Sequence, residues 1–205
     1  MTLARPLPST PAIAATTEIA PGRYPDHDGV DMQELVVANF LGQRNLDPSM
    51  VDGLLISPAG MAVGTGANIF VHEWMADSLR IRPRYAMTVN AGGATYNLMA
   101  MRAATAISAG LADAVLCIGA GKFPKVGTGG SDSMAKMVSN PEFEYPYGSF
   151  IPAMYALAAC RHMHDRGTTR EGLAAVAVSS REWALRHPDA IMRDKGPITI
   201  DDVLG

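Results

Sequence analysis

Cysteine is scarce: Cys117 and Cys160 are the only two in 205 residues. So few exclude a disulfide framework and point to a reducing compartment. Charge is sparse as well, with 18% of residues charged and a formal net charge of −3. That leaves no basic field to hold a nucleic-acid backbone or an anionic membrane surface. No pair of Cys or His stands at zinc-ligand spacing. His162 and His164, two apart, would face different sides of a helix, so no metal site is expected. Apolar stretches are broken by Asn, Arg, Thr, Ser or Asp before the roughly 18 residues that spanning a bilayer needs. No basic segment followed by a long apolar one opens the chain. These absences predict a cytoplasmic protein with no membrane span. What is abundant is small and apolar: 48% hydrophobic residues, 20 Gly and 13 Met. That composition excludes disorder as the main state and suits one globular domain, or a large piece of one.

Hydrophobic periodicity and turn residues predict alternating strands and helices. Residues 1–11, with Pro6, Pro8 and Pro11, read as an irregular arm, and Ala12–Thr17 as a thin first strand. A helix is expected from about Asp31 to Gln43, capped by Asp31, with Leu35, Val36 and Phe40 on its apolar face. Short buried strands follow at 53–57 and 114–119, with a short apolar strand at 85–89 between them, and helices at 67–79 and 95–110. The 95–110 segment is apolar on most sides, which predicts a helix inside the protein, ended by Gly110. Residues 58–66 form a glycine-rich loop, and 121–150 an irregular excursion. A helix is predicted over 152–165 and another after a cap at 168–170. A separate short helix is read at 183–187, then an extended segment at 197–200. The pattern is an α/β layered fold with a mostly parallel mixed sheet.

Among local motifs, the run Tyr85-Ala-Met-Thr-Val-Asn-Ala-Gly-Gly-Ala-Thr95 carries the most chemistry. A strand ends, the chain turns through two glycines, and a helix begins. Free amides and the dipole at a helix start favour negative charge, and ligands of α/β sheets sit at the carboxyl ends of strands. The same glycines also suit tight helix packing, and spacing alone leaves both readings standing. Gly119-Ala-Gly-Lys122 is not a phosphate loop, because Leu116 and Phe123 stand where Gly and Ser or Thr are required. Cys117, inside an apolar strand, and Cys160, on a helix, are expected to be inert. His72 and Glu73 are adjacent on a helix and would point apart.

Four stretches belong together: Leu46–Leu55, Thr88–Thr95 with the small-residue helix to Gly110, Leu111–Gly121, and Tyr147 onward through Thr169, Val176–Arg181, His187-Pro and Pro197–Val203. In their order and spacing they resemble the thiolase superfamily, in its sterol-carrier-protein-type and lipid-transfer-protein-like aldolase branch. The resemblance implies the N-terminal half of a thiolase-like fold over residues 1–205, with the C-terminal half absent. It implies a coenzyme A thioester as substrate, with no bound cofactor. It also implies a homo-oligomer, or a complex with a second thiolase half and a small partner protein.

Aligned on Val89-Asn90, the family's nucleophilic cysteine falls at Gly93, which has no side chain to acylate. The implied chemistry is therefore making or breaking a C–C bond next to a thioester carbonyl without that cysteine. The oxyanion would be held by backbone amides at Gly92, Gly93 and Ala94. Asn90, Gly92, Ala94, Phe150 and Met154 are the implied substrate contacts. A thiolase-type acyltransferase, a retro-aldolase subunit for β-hydroxyacyl-CoA, and a non-catalytic partner half all remain open on this reading.

Overall fold

The computed structural model describes residues 11–60, 70–122, 132, 135, 136, 138–148 and 151–205. Its contacts gather into two compact units, residues 1–19 with 24–125, and residues 20–23 with 126–205.

The first unit is built on three parallel strands: β1 (Gly53–Ile56), β2 (Tyr85–Thr88) and β3 (Val115–Ile118), in the order β2-β1-β3. Gly53 is in register with Tyr85 and Val115, and Ile56 with Thr88 and Ile118. The centre strand β1 is buried along its whole length, and the period of two sends its side chains to both faces. Leu54 and Ile56 meet Val37 of α1 (Gly29–Arg44) and Val71 and Met75 of α2 (Val71–Ser78). Leu55 points the other way and meets Met99 of α3 (Thr95–Ser108). Helices thus cover both faces of a parallel sheet, as the alternating sequence predicted.

Asp52, just before β1, ties the amino edge together. Its carboxylate accepts from the amides of Asp113 and Ala114 at 2.9 Å each and from the guanidinium of Arg84. Arg84 also reaches Asp113 at 2.9 Å. Burial opposes ionisation of Asp52, but the Ala114 amide, Arg84 and the Asp113 amide outweigh it and hold the carboxyl below its ordinary range.

Several local expectations need correction. Ala12–Thr17 is not a strand: it pairs with no described strand, and Ile13 is 80% exposed. The first helix begins two residues early, with Asp28 as its cap. Asp28 accepts from Val30 and Asp31, while Asp31 at the third helical position accepts the Asp28 amide at 2.7 Å. This reciprocal pair is a capping box, so Asp31 supports the cap rather than being it. The buried side of the helix is Met32, Gln33 and Val37. Leu35, Val36 and Phe40 are only half-buried. α3 ends as expected through left-handed Gly110, with Leu111 N–H donating to the Ala106 carbonyl at 2.9 Å. Only Thr95, Met99 and Ala106 of α3 are buried, so its burial in this chain is one-sided.

The second unit contains α4 (Ile151–Arg166), α5 (Arg170–Arg186) and α6 (Ile200–Leu204). Thr169 caps α5 as expected, accepting the Gly172 amide. The segments read as an apolar end at 173–178 and a short helix at 183–187 are one continuous helix. Ser180, between them, bonds back to the Val176 carbonyl at 2.9 Å and so does not break it. Ile200 is helical rather than extended, because Thr199 and Asp202 form a second capping box. α6 lies along α5, and Arg181 donates to the Gly196 carbonyl at 2.8 Å. Within 121–150 the described residues form turns and short helical backbone, including a 3-10 turn at Tyr145–Tyr147. Residues 1–10 of the arm, most of the 58–66 loop, 67–69 of the expected second helix, and Phe150 lie outside the described residues.

Candidate active site

Because the three strands run parallel, their carboxyl ends share one edge of the sheet. The chain leaves β2 there through Val89, whose amide bonds the Ile56 carbonyl at 2.8 Å. It then turns over residues 90–94 into α3. Asn90 Oδ1 accepts the Gly92 amide at 3.2 Å, and Thr95 Oγ1 accepts the Ala91 amide at 2.9 Å while donating to the Gly92 carbonyl at 2.7 Å. The Ala94 and Thr95 amides donate to Ala91 and Gly92 carbonyls at 3.2 and 3.1 Å. Gly92 takes a positive φ of 56°, which a glycine adopts without strain. The Gly93 amide donates to none of these groups, and Gly93 is exposed. A Cβ built on Gly93 would meet nothing within 4 Å. So the Ala91, Gly92 and Ala94 amides are engaged within the turn, the Gly93 amide is outside those bonds, and the Cβ position of Gly93 is open.

Three other groups stand on this carboxyl edge. Gln33, fully buried on α1, donates from Nε2 to the Ser57 carbonyl at 2.7 Å and the Ala120 carbonyl at 3.2 Å, joining the ends of β1 and β3. His72 Nδ1 lies 2.9 Å from Thr88 Oγ1, the last side chain of β2. The ring of Tyr96 rests against Gly119, just past β3. A Cβ at Gly119 would come within 2.1 Å of the ring, so a side chain there would displace the ring.

Sequence reasoning missed these contacts. Gln33 carried a signal, a polar residue on the apolar stripe between Met32 and Val37. Tyr96 and Gly119 meet only through the fold. Lys122 fits the rejection of a phosphate loop, since its ammonium donates to the Tyr24 and His27 carbonyls at 2.6 and 2.5 Å.

Asn90, Gly92, Gly93 and Ala94 are together in the turn, all exposed. Met154 is on α4 in the second unit, 39% exposed. Cys117 is exposed rather than buried as expected, whereas its neighbour Ile118, on the opposite face of β3, is buried. Neighbouring atoms still desolvate the Cys117 sulfur and push the thiol pKa up, which favours the protonated thiol. Cys160 is exposed and free. Among the described residues, no group of three or more His, Cys, Asp or Glu could hold a metal ion.

The thiolase N-terminal domain family matches residues 12–202. The chain belongs to the thiolase family. It is 32% identical over 134 residues to an acetyl-CoA acetyltransferase of Methanothermobacter thermautotrophicus, covering 65% of this chain and 34% of that protein. It is 27% identical over 209 aligned positions to a steroid side-chain-cleaving aldolase of Thermomonospora curvata, covering 94% of this chain and 50% of that one. A solved structure described as an Ltp2-ChsH2(DUF35) aldolase superposes with a TM-score of 0.65 at 27% identity, over 88% of this chain and 44% of its own. The thiolase-like chain thus spans half or less of the length of these relatives. Both acetyltransferase and aldolase chemistry occur among them. No helix of the described residues is long and apolar enough to cross a membrane.

Proposed function

We propose that this thiolase-family chain holds the thioester carbonyl of a β-hydroxyacyl-CoA at the 90–94 turn and takes part in retro-aldol cleavage. The observation that carries this reading is Gly93, at the helix start, with an amide outside the turn's own bonds and no side chain. A cysteine nucleophile is what thiolysis would need there. An oxyanion needs only a donor and the helix dipole.

In the proposed reaction a base takes the β-hydroxyl proton. The Cα–Cβ bond breaks and its electron pair moves into the thioester enolate, while the β-carbon leaves as an aldehyde or ketone. Protonation at Cα completes the shortened acyl-CoA. The Gly93 amide stabilises the enolate oxygen. The proton carriers belong to a second thiolase half or a small partner protein. Phe150 and Met154 are the proposed contacts to the acyl group, by the family resemblance.

The test uses protein isolated from its own cell extract with whatever chains accompany it. Incubation with a β-hydroxyacyl-CoA is expected to release a shortened acyl-CoA and a carbonyl compound in equal amounts. Thiolysis of a β-ketoacyl-CoA by the wild type, with an acyl group trapped on this chain, would refute the reading.

A further inference from the structure

Tyr96 is a large aromatic residue that the packing does not account for. It is 59% exposed, so it is not core. Its phenol oxygen bonds no described residue. Its ring lies against Gly119, close enough that a side chain at that position would push it away. Tyr96 is three residues past Gly93, in the first turn of α3, where side chains lean back toward the helix start. Gly119 follows β3 at the carboxyl edge. The ring therefore extends from the α3 start toward the end of β3, along the edge that carries the open position at Gly93.

We propose that the Tyr96 ring, seated on Gly119, is the apolar wall against which the acyl chain of the substrate lies when its thioester carbonyl is at Gly93. This rests on the reading of the 90–94 turn given above. Two chains leave a thioester carbonyl, the hydrocarbon and the pantetheine arm. An aromatic face favours the hydrocarbon, because the arm carries amides that prefer water. Tyr96 thereby sets acyl preference.

The test is isothermal titration of the protein, with its accompanying chains, using octanoyl-CoA, acetyl-CoA and free CoA. Octanoyl-CoA has no β-hydroxyl and cannot be cleaved by a retro-aldol step. The wild type is expected to favour octanoyl-CoA over acetyl-CoA. Tyr96→Ala should weaken octanoyl-CoA about tenfold and leave free CoA unaltered. Tyr96→Phe should keep the chain-length preference, since it keeps the ring. Gly119→Ala, which lifts the ring without altering it, should act in the direction of Tyr96→Ala. Circular dichroism of each variant confirms its fold. A Tyr96→Ala change of less than about twofold for octanoyl-CoA, or an equal loss for free CoA, overturns the wall and leaves the turn's function standing. Failure of the wild type to bind any of the three ligands overturns both.

Discussion

At Gly93 the backbone makes no demand for glycine. Its φ is outside the left-handed region, and a Cβ there would meet nothing within 4 Å. Gly93→Cys is therefore expected to fold with stability within about 0.5 kcal/mol of wild type, as exposed unstrained substitutions do. Thermal unfolding checks this. The new thiol, at a helix start, should become acylated when the protein is given an acyl-CoA, and intact mass spectrometry would show the adduct. Absence of an adduct in a folded variant would argue that no acyl group reaches the turn. Gly92, with its positive φ of 56°, is the contrasting residue, and a β-branched substitution there should be strained.

At the scale of elements, the sheet is stapled at its amino edge by Asp52 and organised at its carboxyl edge by Gln33. Replacing Asp52 with Ala removes acceptors from the Asp113 and Ala114 amides and from Arg84. The expected loss is about 1 kcal/mol, modest because the carboxylate is partly solvated. The folded carboxyl has a lowered pKa, so its contribution is present above the unfolded value near 3.9 and is lost as pH falls through the folded value. Urea midpoints between about pH 2 and 6 should show an acid-side slope that Asp52→Asn reduces. At the other end of the unit, Asp28→Ala should cost about 1 kcal/mol by removing the α1 cap, readable as a lower urea midpoint. The same unit shows what local sequence conveyed. Short apolar runs at 53–57, 85–89 and 114–119 became β1, β2 and β3, because a run bounded by turn residues in an α/β alternation has few other options. The Asp28 cap and the Thr199 cap were hidden because an Asp or Thr near a helix start reads equally as cap or first turn.

For the whole molecule, the family places the chain among proteins at least twice the matched length. Tyr155 and Leu157 on α4 are 74% and 73% exposed, and Val176 on α5 is 65% exposed. Exposed apolar area of this kind marks association surfaces. The chain isolated by itself is expected to bind a hydrophobic dye and to self-associate. Native mass spectrometry of material from its own extract should show a second thiolase-type half or a copy of this chain. A dilution-stable monomer that binds no dye would contradict this.

The 90–94 turn was legible as a strand end, two glycines and a helix start. What the letters could not give was which amides the turn uses on itself, since that depends on where the Asn90 and Thr95 side chains fold back. The sequence by itself determined the class of fold, the parallel alternation and the family, because these rest on periodicity and residue identity. Only the tertiary structure decided the meetings of Asp52 with Ala114, Gln33 with Ala120, and Tyr96 with Gly119. Each joins segments far apart in the chain, and parallel strand packing, rather than local preference, brings them into contact.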